Sequence, residues 1–390
     1  MSESLRIAFY TDSFLPAVDG VVISILNFRK ELERRGHEVY LYASGNEKTK
    51  RMVAGDSRIT VVRGVRFKKY PQYNLALFPP LVSRLKTINT RFDLSHAHTP
   101  FTMGFYGLML SKLDRTPLVG SFHTLFTDKA AIKEYVVANR LVTKTIIKYS
   151  WKYARMFYNR CDGVAAPSST IKSMLEKKGI QNLSVVPNGI DLKRFNADAD
   201  GSAVRKRILK GKKDKLVMYV GRVSREKKLE TMIKAAGLMK KDNVQFAIVG
   251  TGPAQEHYES MVRRMHLQDR VRFMGFIDNK KLPEYYAACD AFCIPSTFET
   301  QGIVSLEAMA AGRPVVGADY LALKELIKNG KNGEKFRPND STDCARKIRK
   351  VIYNMDSYKE MLQTARRYSI ERTTDDLLDM YRRVLNNESS

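Results

Sequence analysis

The sequence is poor in cysteine, histidine and acidic side chains, and it has no long apolar run. Its four cysteines, Cys161, Cys289, Cys293 and Cys344, are scattered over 390 residues. They have no paired C-x-x-C spacing, which excludes a disulfide framework and implies reduced core thiols in a cytosolic protein. A metal site drawn from Cys289, Cys293 and a distant histidine is the weaker alternative. No stretch of eighteen apolar residues exists, so no helix is expected to span a membrane. Residues 1–10 lack the basic start and continuous apolar segment of a signal peptide. There are no internal repeats and no low-complexity tract. The shortage of acid has the larger consequence: 41 Asp+Glu stand against 67 Lys+Arg, a formal net charge of +26. That balance implies an anionic partner, and nucleotides, nucleic acids and acidic membranes all qualify. Residues 1–194 hold 31 Lys+Arg and 15 Asp+Glu, a net +16, leaving +10 for the remainder.

What is present is an alternation of strand and helix patterns, long enough for two domains. Leu5–Tyr10 reads as a strand and Gly20 opens a helix to about Arg35. Val22, Ile25, Leu26 and Leu32 lie on its buried face, with Arg29, Glu33 and Arg34 outside. Glu38–Ala43 is the next strand, and such a βαβ opening implies a parallel sheet with ligands at its C-terminal edge. Ile59–Phe67, Leu94–His98 and Leu118–His123 continue the rhythm, and after a polar connection at 196–214 it restarts at Lys215–Val220 and Val244–Val249. Thr11–Asp19 does not match G-x-G-x-x-G, so a dinucleotide-binding reading is weak.

The segment from Ser296 to Pro314 is the most informative. An apolar run, Asp290–Pro295, leads into a loop; Gly302 then opens about ten good helix formers, and Gly312 with Pro314 stops them. A helix start carries unpaired N–H groups and partial positive charge, so the amides of Gly302, Ile303 and Val304 can receive a phosphate. Glu307 has Ile303, Val304, Ala310 and Ala311 as helical neighbours, and a carboxylate on such a face needs partners. Sugar hydroxyls suit it, because a carboxylate only accepts and a diol donates twice. Glu299 lies in the loop just before, near where a phosphate-linked group would project. An isolated pair of glutamates is ordinarily a pair of solvated carboxylates; here the glycine, the helix start and the apolar flanks agree on a site.

Other features are less specific. His96 and His98 fall on one face of a strand and are expected to be structural. His123 lies where a buried strand runs into a polar loop, a usual place for a reacting group, although a lone histidine is more often packed. Tyr70–Pro80 is an aromatic and proline-rich loop that either meets something apolar or packs under its own helices. From Lys129 to Arg160 a long helical pattern, with a break, sets Lys133, Arg140, Lys144, Lys148, Lys152 and Arg155 on one broad face. Most such stripes are solvated faces; this one lies on the more basic half.

The string Glu299, seven residues, Glu307, then Ala308-Met-Ala-Ala-Gly-Arg-Pro-Val-Val316 resembles the signature of the retaining glycosyltransferases of family 4, enzymes of the GT-B fold. Val185–Phe195 and Gly221-Arg222 through Lys227 are similar to further strings of that family. The resemblance covers nearly the whole chain and is strongest after Val185. It departs at Thr300-Gln301, at Asp19-Gly20 where the family has paired glycines, and at Lys228 where it has glycine. The resemblance implies an α/β architecture of two doubly wound parallel-sheet domains facing a cleft. Residues 1–195 would bind acceptor, 196–365 nucleotide sugar, and 366–390 would form a helix crossing back to the first domain. It implies that Arg222 and Lys227 meet the donor diphosphate, that Gly20 approaches the donor phosphates, and that His123 lines the transferred sugar. Glu307 would hold the ribose and Glu299 the sugar, with retention of configuration. Two cations beside the Gly302 helix start would neutralise a leaving diphosphate, so no metal or other cofactor is expected. Ser121–Asp128 and Asp19–Val21 are similar to the diacylglycerol glucosyltransferases within the family. The expected reaction is transfer of a hexose from a UDP- or GDP-sugar to a membrane lipid such as diacylglycerol. The expected location is the cytoplasm, peripheral on the inner face of an anionic membrane. A soluble acceptor is the runner-up. A glycoside hydrolase would use two carboxylates across the scissile bond, and a nucleic-acid-binding protein would explain the charge without any recognised module; neither is favoured.

Overall fold

The structure is a computed structural model that describes residues 4–17, 19–67, 70–76, 91–127, 140–209, 211 and 214–386. The chain divides into two compact units, Met1–Gly189 with Ile370–Ser390, and Ile190–Ser369. Each is built on a twisted parallel sheet, because its strands are short apolar runs buried on both faces and joined through helices.

The strands of the first unit are β1 (Arg6–Thr11), β2 (Glu38–Gly45), β3 (Ile59–Phe67), β4 (Tyr70–Ala76), β5 (Leu94–Ala97), β6 (Leu118–Ser121), β7 (Gly163–Ala166) and β8 (Leu183–Val185). Their spatial order is β4-β3-β2-β1-β5-β6-β7-β8. The pairs are parallel except β3 with β4, which is antiparallel. The second unit orders its strands β11-β10-β9-β12-β13-β14, where β9 is Lys215–Val220, β10 Val244–Val249, β11 Val271–Gly275, β12 Ala291–Ile294, β13 Val315–Ala318 and β14 Gly333–Phe336. These are all parallel, and every residue of β10 is buried. Strand order reverses between β1 and β5 in the first sheet and between β9 and β12 in the second. Loops diverge at such reversals and leave a crevice beyond the strand ends, where α/β proteins bind ligands.

The helix Gly20–Arg34 starts on Asp19, whose carboxylate accepts from the amides of Val21 and Val22 at 3.0 Å each. Val22, Ile25 and Leu32 are buried, as expected. Arg29, expected in solvent, is buried too, because its guanidinium reaches Glu33 at 3.0 Å and Asp56 at 2.7 Å and thereby stays paired while its stem packs.

Helix Ile370–Leu385 returns to the first unit, where Leu377, Leu378, Met380, Tyr381 and Val384 join the core under β1, β2 and β7. Each such side chain contributes about 1.5–3 kcal/mol on burial. Arg35 pins the helix start, meeting the Asp375 carboxylate at 2.5 Å and the Glu371 carbonyl at 2.7 Å. Ile190–Phe195, assigned to the first domain from sequence, belongs to the second: Ile190 bridges to Ser369, and Ile190 and Phe195 pack with the β9, β10 and β12 core. The crossing back therefore begins at Ile370 rather than 366. The four cysteines are free and buried, with the sulfurs of Cys293 and Cys344 4.0 Å apart. Among the described residues no group of three or more His, Cys, Asp or Glu is placed to hold a metal, and no helix is long and apolar enough to cross a membrane.

Candidate functional site

The second unit brings Arg222, Lys227, Glu299, Gly302 and Glu307 to one strand reversal. The loop leaving β9 runs Gly221-Arg222-Val223 into a single 3-10 turn, Arg225–Lys227. The amides of Gly221 and Val223 donate to the carbonyls of Val249 and Thr251, both at 3.0 Å, which fastens this loop to the one leaving β10. Arg222 is half-buried, and its carbonyl accepts from the Tyr219 hydroxyl at 2.9 Å. Lys228 follows at φ 54°, the left-handed conformation that glycine adopts freely. The backbone thus keeps a glycine-type turn at the position where the family carries that residue, and Lys227 is directed inward by it.

Lys227 Nζ lies 2.7 Å from Glu299 Oε1, both side chains mostly buried. Glu299 comes from the loop leaving β12, on the other side of the reversal. The two residues expected to hold phosphate and sugar therefore hold each other. Gly302 sits at φ +85°, a backbone conformation that favours glycine, and a Cβ there would come 2.9 Å from Leu323 Cδ2 and displace that methyl. Helix Ile303–Ala310 begins immediately after it with no side-chain cap. The amides of Ile303 and Val304 have no carbonyl within the helix to meet, while that of Ser305 donates to the Gly302 carbonyl at 2.9 Å, and Ile303 and Val304 remain half-buried.

Glu307, one turn further, is buried; its Oε2 accepts from the Tyr286 hydroxyl at 2.6 Å. Burial pushes its carboxyl up to about 7, opposed by the Tyr286 hydrogen bond and the Arg194 charge. The apolar flanks of this carboxylate imply that it needs a partner, and Tyr286 supplies one. No local signal marks it, since Tyr286 lies on a separate helix, Leu282–Ala288.

In the first unit, β1, β5 and β6 deliver Asp12, His98 and His123. Asp12 accepts from Thr99 Oγ1 at 2.6 Å, from the Met103 amide at 3.0 Å and from the Thr102 hydroxyl, clasping the β1 loop to the β5 loop. His96 bonds Tyr381 Oη at 2.6 Å and Ser121 Oγ at 2.8 Å, a structural role as expected. His98 Nδ1 is 3.1 Å from His123 Nε2. Burial drives all three imidazoles down, His123 to about 4. Gly20 is exposed at its helix start, but Asp19 already occupies the neighbouring amides with its own carboxylate. A phosphate approaching Gly20 meets that negative charge.

Of the basic stripe, Lys144, Lys148, Lys152 and Arg155 are exposed along helix Arg140–Tyr158. The side chain of Arg140, all of Lys133 and residues 77–80 lie outside the described residues; Tyr70–Ala76, expected as a loop, is instead the strand β4, because its backbone pairs antiparallel with β3. Helix Arg140–Tyr158 and helix Thr102–Asp114 also expose apolar side chains. Val142 is 45 % and Tyr149 61 % exposed on the first of them, and Phe105, Met109 and Leu113 are 44 %, 45 % and 66 % exposed at successive turns of helix Thr102–Asp114. The rings of Phe105 and Phe157, 6.2 Å apart, join the two helices.

Two Rossmann-like units, the second with cations and an open helix start at its strand reversal, define a GT-B glycosyltransferase, which moves a sugar from a nucleotide. A model of glycosyl transferases group 1 matches residues 201–368 and one of Glycosyltransferase Family 4 matches residues 18–194. The chain belongs to glycosyltransferase family 4. It is 28 % identical over 338 residues to an alpha-monoglucosyldiacylglycerol synthase of Streptococcus pneumoniae, covering 83 % of this chain and 74 % of that one. Over 332 residues it is 29 % identical to a GDP-mannose-dependent alpha-mannosyltransferase of Corynebacterium glutamicum, covering 84 % and 76 %. A crystal structure of Anabaena Alr3699/HepE with UDP and glucose has the same fold, at a TM-score of 0.75 and 21 % identity, covering 97 % of this chain and 99 % of that one.

Proposed function

We propose that the protein is a retaining, metal-independent hexosyltransferase that glycosylates the hydroxyl of a membrane lipid such as diacylglycerol at the cytoplasmic face of an anionic membrane. The observation that carries the donor reading is the Lys227–Glu299 pair, 2.7 Å apart beside the uncapped helix at Gly302. A donor diphosphate entering there takes Lys227 from Glu299, which frees the carboxylate for sugar hydroxyls. As the bond from the anomeric carbon to phosphate oxygen breaks, its electron pair stays on that oxygen and charge grows on the departing diphosphate, while the acceptor oxygen bonds the anomeric carbon and passes its proton to the released phosphate oxygen. Arg222, Lys227 and the amides of Gly302, Ile303 and Val304 meet that charge, the work a metal does elsewhere. Glu307 accepts from the ribose, and His123 lines the transferred sugar. Retention rests on membership of the family.

The lipid acceptor is supported by the row Lys144, Lys148, Lys152 and Arg155 on a helix that also exposes Val142 and Tyr149, and by the name of the pneumococcal relative. Cations near an anionic surface supply about 1 kcal/mol each, enough for reversible docking. Apolar side chains that reach the headgroup boundary add to it.

The test combines turnover and binding. UDP- and GDP-hexoses are screened with diacylglycerol, phospholipid and soluble sugar acceptors, and the protein is sedimented with vesicles. Binding is expected to need anionic lipid, to fall with salt, and to weaken when Lys144, Lys148 and Lys152 become Glu. Indifference to lipid charge together with transfer to a soluble sugar refutes the lipid acceptor. Tight duplex binding with no turnover refutes the enzyme reading altogether.

A further inference from the structure

We infer that His98 is a positioning residue for sugar transfer: it orients the ring of His123 and fixes which of its nitrogens carries the proton. This rests on the reading that His123 lines the transferred sugar.

The His98 ring is held on several sides. Its backbone amide donates to the Tyr10 carbonyl at 2.8 Å. The ring stacks on His96 at 4.0 Å with planes 25° apart, and stands edge-on to Phe9 at 4.5 Å. His96 is itself fixed at both nitrogens by Tyr381 and Ser121. His98 therefore presents Nδ1 in a set direction, and that direction is His123 Nε2, 3.1 Å away with the two ring planes 14° apart.

One of these two nitrogens carries the shared proton. His98 Nε2 decides which, because it is buried and has no hydrogen-bond partner among the described residues. If His123 donated, the single proton of neutral His98 would sit on Nε2 as a buried unpaired N–H, the kind of orphan that folded proteins avoid most strictly. With the proton on His98 Nδ1, only a lone pair is left bare. His98 then donates, His123 Nε2 accepts, and the proton of His123 is on Nδ1. A donating nitrogen also suits the hydrogen bond of His123 to Asn188, which favours the protonated ring. Asn188 Oδ1 accepts in turn from Ser24 Oγ at 2.6 Å. Burial keeps the imidazoles neutral near pH 7, so each ring carries one proton. The consequence for chemistry is that His123 is presented to the sugar as an oriented ring engaged within its own unit, and it serves by shape and dipole rather than as a freely titrating acid or base.

The experiment uses the full-length chain with ¹⁵N-labelled histidine. In the unsubstituted protein the His123 signals are expected to show Nδ1 protonated and Nε2 bare. His98→Leu is expected to disturb that pattern and to lower kcat about tenfold to a hundredfold with KM for the nucleotide sugar nearly unchanged, as a misplaced reacting-site group does. His98→Asn, whose amide nitrogen stands where Nδ1 stood, is expected to recover most of the rate. A His123 protonated on Nε2 in the unsubstituted protein overturns the inference. So does an unaltered His123 pattern in His98→Leu, or an Asn variant no faster than the Leu variant. Should His98→Leu not fold, the unsubstituted spectrum and the Asn variant still decide. His123→Ala separates the two claims: full turnover in that variant refutes the role of His123 at the sugar, while the proton assignment stands or falls on the spectra.

Discussion

Glu307→Gln offers the sharpest test of the donor site, because the same burial that suits the carboxylate to a ribose makes it costly when the site is empty. Glu307 is buried, and its carboxyl is raised from 4.5 to about 7 by loss of solvent. Between those values the folded chain holds a proton that the unfolded chain has released. Stability is therefore greatest below pH 4.5 and falls as pH rises through 7. By pH 8 the ionised group has cost about 3 kcal/mol relative to pH 4. Glutamine has the same length, does not titrate, and its amide oxygen still accepts from Tyr286. Urea unfolding of both proteins at pH 5 and pH 8 is expected to show the variant gaining about 2.5 kcal/mol over the parent between the two pH values. Nucleotide affinity is expected to change in the opposite direction, falling in the variant because the ribose loses an ionised acceptor. A stability difference that is equal at pH 5 and pH 8 refutes the buried, raised carboxyl. Unchanged nucleotide affinity refutes its contact with the ribose.

Three further outcomes are expected. Lys227→Ala removes a phosphate contact and strands Glu299, so kcat/KM should fall by about 2–4 kcal/mol of transition-state stabilisation; near-unchanged kinetics for both Lys227→Ala and Arg222→Ala would show that the diphosphate binds elsewhere. Lys228→Gly relieves a left-handed lysine and should stabilise the fold by up to about 1 kcal/mol, read as a higher Tm; a lower Tm would mean that the lysine side chain contributes more than the strain costs. Turnover in EDTA should equal turnover without it, and strict dependence on added Mg²⁺ or Mn²⁺ would overturn the assignment of Arg222 and Lys227 as the groups that neutralise the leaving diphosphate.

The sequence by itself determined most of the elements and their order, with the strand Tyr70–Ala76 the exception, since its pairing with β3 is not a local signal. Lys215–Val220 and Val244–Val249 were readable residue by residue, because hydrophobic period and flanking turn residues are local properties of the chain. The helix start at Gly302 was legible for the same reason: a glycine between an apolar strand and a run of helix formers needs no distant partner to be recognised. Tertiary structure decided everything that depends on pairing across the fold. The Lys227–Glu299 contact joins residues 72 apart, His98 and His123 are 25 apart, and Tyr286 and Glu307 are 21 apart on separate helices. Arg29 looked like a surface residue because its helical position is polar, and only the approach of Asp56 makes its burial affordable. Likewise the boundary at Gly189 and Ile190 has no break in composition; it is set by Ile190 packing beside Ser369, at the far end of the second unit's sequence. Periodicity records which face of an element is apolar, but it carries no information about which other element's side chain arrives there, and that arrival decides the partners of Lys227, Glu307 and His98.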